Sequence, residues 1–378
     1  MTIDRRQLLA GMAGVLGAAP FAAGSPAARP AATRVELTIR GSRVPRTFSI
    51  TPVVYDGKWN WKEQPLDQKG YLDPREFDVR AGIRWRSDGQ TRNLKGSTLV
   101  PCAFPEQEVL NWQIEKPEGC EARVQPLSDT AAQLQMAAPG IRPGETITVA
   151  VVARVRLFRF CPHYSADQFA DGQEYPQAIR DHYLGNSPGI RCEMPGVREL
   201  VKSITSRHDP PWQRARRFFD WAWDNIEGLP GKYTSVQAAI RNGRGDCEER
   251  AGVFVALCRA NGIPARLVLV PNHCWAEFCL INQDGEACWI PAHTAAYNWF
   301  GWTGTHELVL QKGDRIDQPG KDKTVRLVED WYQFQGRRPI IEYFGELVPV
   351  EGPGQRVRNR QGGWDLAGEH PENRFFRD

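Results

Sequence analysis

The sequence predicts an α+β protein in which a cysteine-bearing helix packs on an antiparallel sheet, preceded by an all-β sandwich domain. Three observations carry this. Up to residue 160, apolar residues alternate with polar ones in runs separated by turn signals. Beyond residue 195 they recur at helical spacing. From residue 265 onward short strand-like runs return.

Residues 1–28 read as an export leader. Asp4-Arg5-Arg6-Gln7-Leu8-Leu9 forms a twin-arginine pattern, a Gly/Ala-rich run follows to Ala19, and small residues between Ala22 and Ala28 offer cleavage sites. The run is too short and too weakly apolar to span a membrane. The expectation is a bacterial chain that is periplasmic or secreted, with no integral membrane span after cleavage. Residues 34–160 form the β-sandwich. Val35, Leu37 and Ile39 alternate, as do Phe77, Val79, Ile83 and Trp85. After the Pro143-Gly144 turn the pattern continues through Ile147, Val149, Val151, Val155 and Leu157. The domain is expected to serve as a scaffold. Residues 161–190 read as a polar, aromatic linker, and 191–350 as a second domain.

Within that domain Val197, Leu200, Val201 and Ile204 mark a helix, and Asp209-Pro210-Pro211 opens the next. Ala215, Phe218, Phe219, Ala222, Trp223 and Ile226 give it a broad apolar face, while Arg214, Arg216 and Arg217 form a solvated one. Ser235 to Ile240 is a short helix. Gly245 then permits a tight turn, and Asp246 is a good N-cap. Ala251, Phe254, Val255 and Cys258 recur at helical spacing until Asn261-Gly262 and Pro264 end the run. Cys247 therefore starts a buried helix, whose free amides and dipole favour the thiolate.

Leu267 to Val270 reads as a buried strand. Asn272 to Phe278 is the next, with His273, Trp275 and Glu277 on one face. Asp284-Gly285 is a hairpin turn, and Cys288 to Pro291 a third strand. Tyr297, Trp299, Phe300 and Trp302 read equally as a cleft wall or as a satellite hydrophobic cluster. Val325-Arg326-Leu327 and Pro339-Ile340-Ile341 are expected to finish the sheet, and residues 351–378 form a polar tail.

A cysteine at a helix start and a histidine on a nearby strand make a nucleophile and its base. Gly245-Asp246-Cys247, the helix ending in Cys258 to Arg266, then His273-Cys274-Trp275-Ala276-Glu277-Phe278 and Trp289-Ile290-Pro291, taken in this order, resemble the transglutaminase-like superfamily. The resemblance covers residues 190–300 and implies a papain-like cysteine fold with Cys247 as nucleophile and His273 as general base. The family follows its Trp-x-Pro strand with Leu-Asp, whose carboxylate orients the histidine. Here Ala292-His293 stands instead, so His293 takes the third position. A neutral imidazole can accept or donate a hydrogen bond but cannot stabilise an imidazolium by charge. Glu277 and Asp284 are the carboxylates within reach in sequence.

Two function classes follow. The first is a thiol enzyme acting on amide bonds of a protein or peptide through a Cys247 thioester, as a cysteine peptidase or amidase or as a transglutaminase. The Cys247 amide serves as an oxyanion donor. The second is a catalytically silent domain of the same fold that binds peptide or glycan, because His293 replaces the expected Asp. The nine cysteines show no CxxC pair, and no loop has phosphate-cradling or calcium-binding spacing, so neither metal nor cofactor is expected. Cys258 reads as core, and Cys274 and Cys279 fall at opposite strand parity. The formal net charge of +3 includes +1 from Asp4, Arg5 and Arg6, leaving about +2, which argues against nucleic acid as a partner. At 378 residues the chain suffices for two or three domains, and 41% hydrophobic residues suit a globular protein. Oligomeric state is not legible in the sequence.

Overall fold

The computed structural model describes residues 68–350 except 230–232, 272, 296–297 and 320–323, with the backbone of strands Ile50–Tyr55, Lys58–Glu63 and Trp364–Leu366. The leader, Val35, Leu37, Ile39, Asn272, Tyr297 and most of the tail lie outside the described residues.

Six strands come first: β1 (Gly70–Arg86), β2 (Thr91–Val100), β3 (Gln107–Glu115), β4 (Glu121–Ser128), β5 (Ala131–Ile141) and β6 (Thr146–Cys161). Helices α1 (Gln177–Tyr183), α2 (Pro195–Ile204), α3 (Pro211–Asn225), α4 (Val236–Asn242) and α5 (Cys247–Ala260) follow. Next come β7 (Ala265–Val270), β8 (His273–Ile281), β9 (Ala287–His293), β10 (Trp299–Phe300), β11 (Gln311–Lys312), β12 (Trp331–Gly336) and β13 (Ile340–Pro349).

The alternation read from the sequence does its expected work in β1 and β6. Phe77, Val79, Ile83 and Trp85 point into a core with Val149, Val151, Val155 and Leu157. The intervening residues face outward as a charge ladder, with Asp78 on Arg154 at 2.9 Å, Arg80 on Glu115 at 3.0 Å and Arg84 on Glu342 at 2.7 Å. Such exposed pairs set register more than stability. At Gly82 a Cβ would lie 2.1 Å from the Val149 carbonyl oxygen, so β1 and β6 approach this closely only because the residue is glycine.

Two sheets result. One has the order β13-β1-β6-β3, with strand Trp364–Leu366 on β13. The other runs β10-β9-β8-β7-β11-β5-β2-β12, with β4 also on β5. The second sheet is continuous through both halves of the chain, because β11 pairs with β7 on one side and β5 on the other. The β-rich half is therefore not built from residues 34–160 alone. Residues 324–350, expected to finish the sheet that holds β7–β9, do so only in part: β12 closes its far edge on β2, Thr324–Val325 pair with Ile316–Asp317, and β13 joins the other sheet on β1. The apolar positions Ile341, Tyr343 and Leu347 of β13 find their partners in the core between the two sheets. Residues 161–190 are not a free linker either. The Ala170 amide donates to the Ile281 carbonyl, Gln173 bonds Ile281 in both directions, and Phe169 stacks on Trp212 at 5.4 Å. No helix among the described residues is long and apolar enough to cross a membrane.

The seam at β11 is polar and closed. Gln311 donates to the Gly313 and Arg326 carbonyls and accepts from the Val328 amide. Lys312 Nζ lies 2.5 Å from Glu106 and 2.6 Å from Glu277, and Arg266 holds the other oxygen of Glu277 at 2.7 Å. Burial alone would raise the Glu277 carboxyl, but Lys312 and Arg266 outweigh it and hold it below its ordinary range. Removing one member of such a buried group leaves an uncompensated charge. Lys312→Met is expected to cost about 3 kcal/mol in urea unfolding, partly recovered when Glu106→Gln is added. A loss below about 1 kcal/mol would show that water already screens the seam.

Candidate active site

The site starts from the N-terminus of α5. Asp246 Oδ1 accepts from the Glu249 amide at 3.1 Å, and Glu249 Oε2 accepts from the Asp246 amide at 2.9 Å. This reciprocal capping box satisfies two donors the helix leaves open. Glu249 Oε1 also accepts from the Thr234 amide and hydroxyl. A Cβ at position 245 would lie 2.7 Å from the Glu249 Cβ, so Gly245 is what lets the cap close. From Glu249 to Arg259 the helix is buried on every side, between β7 and β8 on one face and α2, α3 and α4 on the other.

Cys247 therefore sits at the N-terminal end of α5, outside the fully buried stretch, and is itself half-buried. The backbone amides of Cys274 and Glu248 favour its thiolate. The expectation of a resting thiolate is not met. Burial, then the Asp246 carboxylate, pushes the Cys247 thiol up to about 11, against the pull of those amides. The capping carboxylates that fix the helix start also place negative charge beside the sulfur, which the sequence argument weighed only as caps.

The amide of Cys274 brings Cys247 to the start of β8, where His273 is the first residue and pairs with Val270. His293 is the last residue of β9, which lies antiparallel to β8. The two imidazole rings are 6.2 Å apart at 25°. All three residues singled out in the sequence thus gather at one corner of the sheet. His293 is fully buried, stacked on Trp275 at 4.4 Å and set edgewise to Trp299 at 5.2 Å. Burial, with His273 adding to it, drives His293 well below its ordinary range, so it is neutral.

Neither carboxylate suggested by the sequence reaches this corner. Glu277 is committed to Arg266 and Lys312, and Asp284 is exposed in the β8–β9 turn. A carboxylate missed in the sequence does: Glu307 Oε2 lies 3.8 Å from His293 Nε2. Its side chain is 10% exposed, and burial pushes it up to about 8, with Thr305 and Trp275 pulling the other way. Glu307 belongs to an irregular segment with no hydrophobic period, so no sequence signal points to it.

The remaining expectations resolve as follows. Trp299 and Trp302 bury with Cys161, and Phe300 stacks on Phe278 at 5.2 Å, so these aromatics are cluster rather than cleft wall. Arg214, Arg216 and Arg217 bond Asn261, Asp220 and Asp209 at their own surface. Among the described residues no two cysteines are joined in a disulfide. Cys274 and Cys279 face opposite sides of β8, yet both are buried, because α5 covers one face and residues 169–183 the other. Among the described residues no cluster of three His, Cys, Asp or Glu is arranged to hold a metal.

No curated protein matches the chain. A structure of a candidate cysteine protease from Cytophaga hutchinsonii is similar in fold, with 15% identity and a TM-score of 0.50 over 78% of this chain and 96% of that one. A candidate protease from Parabacteroides distasonis is 13% identical over 60% of this chain and 44% of its own, with a TM-score of 0.25. The family model of the transglutaminase-like superfamily matches residues 198–294, the span from α2 to the residue after His293. The segment that holds Cys247, His273 and His293 belongs to the transglutaminase-like superfamily.

Proposed function

We propose that this protein is a thiol enzyme that cleaves or transfers amide-linked acyl groups of a peptide or protein through a thioester on Cys247. The observation that carries it is the corner itself: the sulfur meets the Cys274 amide where β8 presents His273, with His293 ring to ring behind. The family assignment and the fold likeness support the reaction class.

The resting groups dictate the order of events. A thiol raised to about 11 is neutral near pH 7, so it must lose its proton as it attacks. His273 takes that proton while the sulfur bonds to the amide carbon. The imidazolium then donates it to the leaving nitrogen, and the C–N bond breaks to give a thioester and a free amine. Water completes hydrolysis, and an amine completes transamidation. We favour hydrolysis, because water always competes for the thioester. Backbone amides near the sulfur supply the oxyanion with donors that need not reorganise.

One observation favours a second reading, a silent domain that binds peptide or glycan. His293 is neutral and uncharged where the family has a carboxylate. The two readings separate on thiol chemistry. Alkylation of Cys247 by iodoacetamide is expected to proceed well below the thiol's own ionisation and to fall about 100-fold in His273→Ala, the scale of general-base assistance. Labelling that tracks only an ionisation near 11, with or without His273, would select the silent reading.

Cys247→Ser is expected to abolish turnover of any peptide or amide substrate while leaving the thermal melt within about 1 kcal/mol, since the capping box does not use the side chain. Full turnover in that variant would rule out the thioester. Glu277→Gln is expected to lower stability without changing the pH profile of Cys247 labelling, because its ion pairs lie in the seam.

A further inference from the structure

We propose that Glu307 is a positioning residue, which acts through His293 to hold His273 in the tautomer able to take the Cys247 proton. This deepens the thiol-enzyme reading and rests on it. The geometry is a chain of three side chains from three separate segments. His273 opens β8, His293 closes β9, and Glu307 comes from the irregular stretch between β10 and β11. The His273 and His293 rings are 6.2 Å apart at 25°, and His293 Nε2 turns to Glu307 Oε2 at 3.8 Å.

The chemistry follows from how imidazole carries its proton. A neutral ring has one N–H and one lone pair, and the partner at one nitrogen fixes which is which. With Glu307 ionised, its charge 3.8 Å away favours the proton on His293 Nε2. Its Nδ1 is then the acceptor. An acceptor behind His273 favours the His273 tautomer with its proton on the far nitrogen and its lone pair toward the thiol. With Glu307 protonated that charge is gone, and it no longer fixes which nitrogen of His293 carries the proton. A neutral histidine in the third position thus orients the base only when a carboxylate stands behind it.

The pocket is arranged to hold this chain still. His293 is clamped between the Trp275 face and the Trp299 edge. The residue before Glu307, His306, directs its Nε2 to the Asp73 carbonyl oxygen at 2.6 Å, which ties the segment to β1. The groups facing the chain are known. Glu307 has Thr305, Trp275 and His293 around it, and His293 has His273, Trp275 and Trp299. Cys247 has the Asp246 cap, Glu248 and Arg250 on its own helix, and Cys274 on β8. Burial puts the Glu307 ionisation at about 8, so the competent form grows in as pH rises through that value.

The test is the rate of Cys247 alkylation by iodoacetamide against pH, on the full chain, in wild type, Glu307→Gln and His273→Ala. In wild type the rate is expected to climb through a step near pH 8. Glu307→Gln is isosteric and is expected to keep its thermal melt, to lose that step, and to label roughly tenfold more slowly above it, the scale at which outer partners of a histidine act. In a His293→Asp background, where a carboxylate stands directly behind His273, the same substitution is expected to cost far less. Labelling that depends on His273 but is unchanged in Glu307→Gln would overturn this inference and leave the thiol-enzyme reading intact. Labelling indifferent to His273 would overturn both.

Discussion

The burial of α5 from Glu249 to Arg259 is the constraint on which the rest of the structure depends. A helix apolar on all sides must be covered on all sides. β7 and β8 cover one face, and α2, α3 and α4 the other. Its charged residues follow it inside and must be satisfied there. Arg259 is held by Asp314 at 2.6 Å and by the carbonyls of Ala265 and Gly185. Arg250 lies over the Trp223 ring and donates to the Trp223 carbonyl. The middle of the helix is sealed, and Cys247 is the first residue of its capped, half-buried first turn.

Around this helix the protein treats buried charge in two ways. Where both signs are present, as among Glu106, Lys312, Glu277 and Arg266, the charges remain and hold the sheet together across β11. Where burial outweighs the charges nearby, the groups turn neutral: Cys247 goes up, His293 goes down, and Glu307 goes up. The second set lies at the corner where the sulfur meets β8. Neutral groups in a dry site cost little to hold there, and each can gain or lose a proton when a neighbour changes.

The β-rich half bears on this corner directly. One sheet runs through both halves, and the segment from Thr303 to Lys312 stitches them together. The Thr303 amide donates to the Phe160 carbonyl, His306 reaches Asp73, and the Val309 amide donates to the Gln107 side chain. Glu307 lies in the middle of this seam. A change in how β1 and β6 pack would therefore be felt behind His293.

The sequence by itself determined the local elements. The Asp246 cap, the Asn261-Gly262 stop, the Pro211 start of α3 and the Asp284-Gly285 turn are all set by residues within a few positions, and all appear where the sequence puts them. It also determined which side chains meet at the site, because Cys247, His273 and His293 sit at the ends of elements whose order and pairing the motifs fix. Tertiary structure decided the rest. Which strands β12 and β13 join, and that residues 161–190 pack down, depends on cores assembled from distant segments. The protonation of Cys247 depends on burial and on Asp246 acting as a charge as well as a cap. The carboxylate behind His293 comes from a segment without periodicity, held in place by contacts to β1 that no local pattern encodes. Propensity and spacing act over one turn or one hairpin, whereas desolvation and long-range pairing are properties of the folded whole.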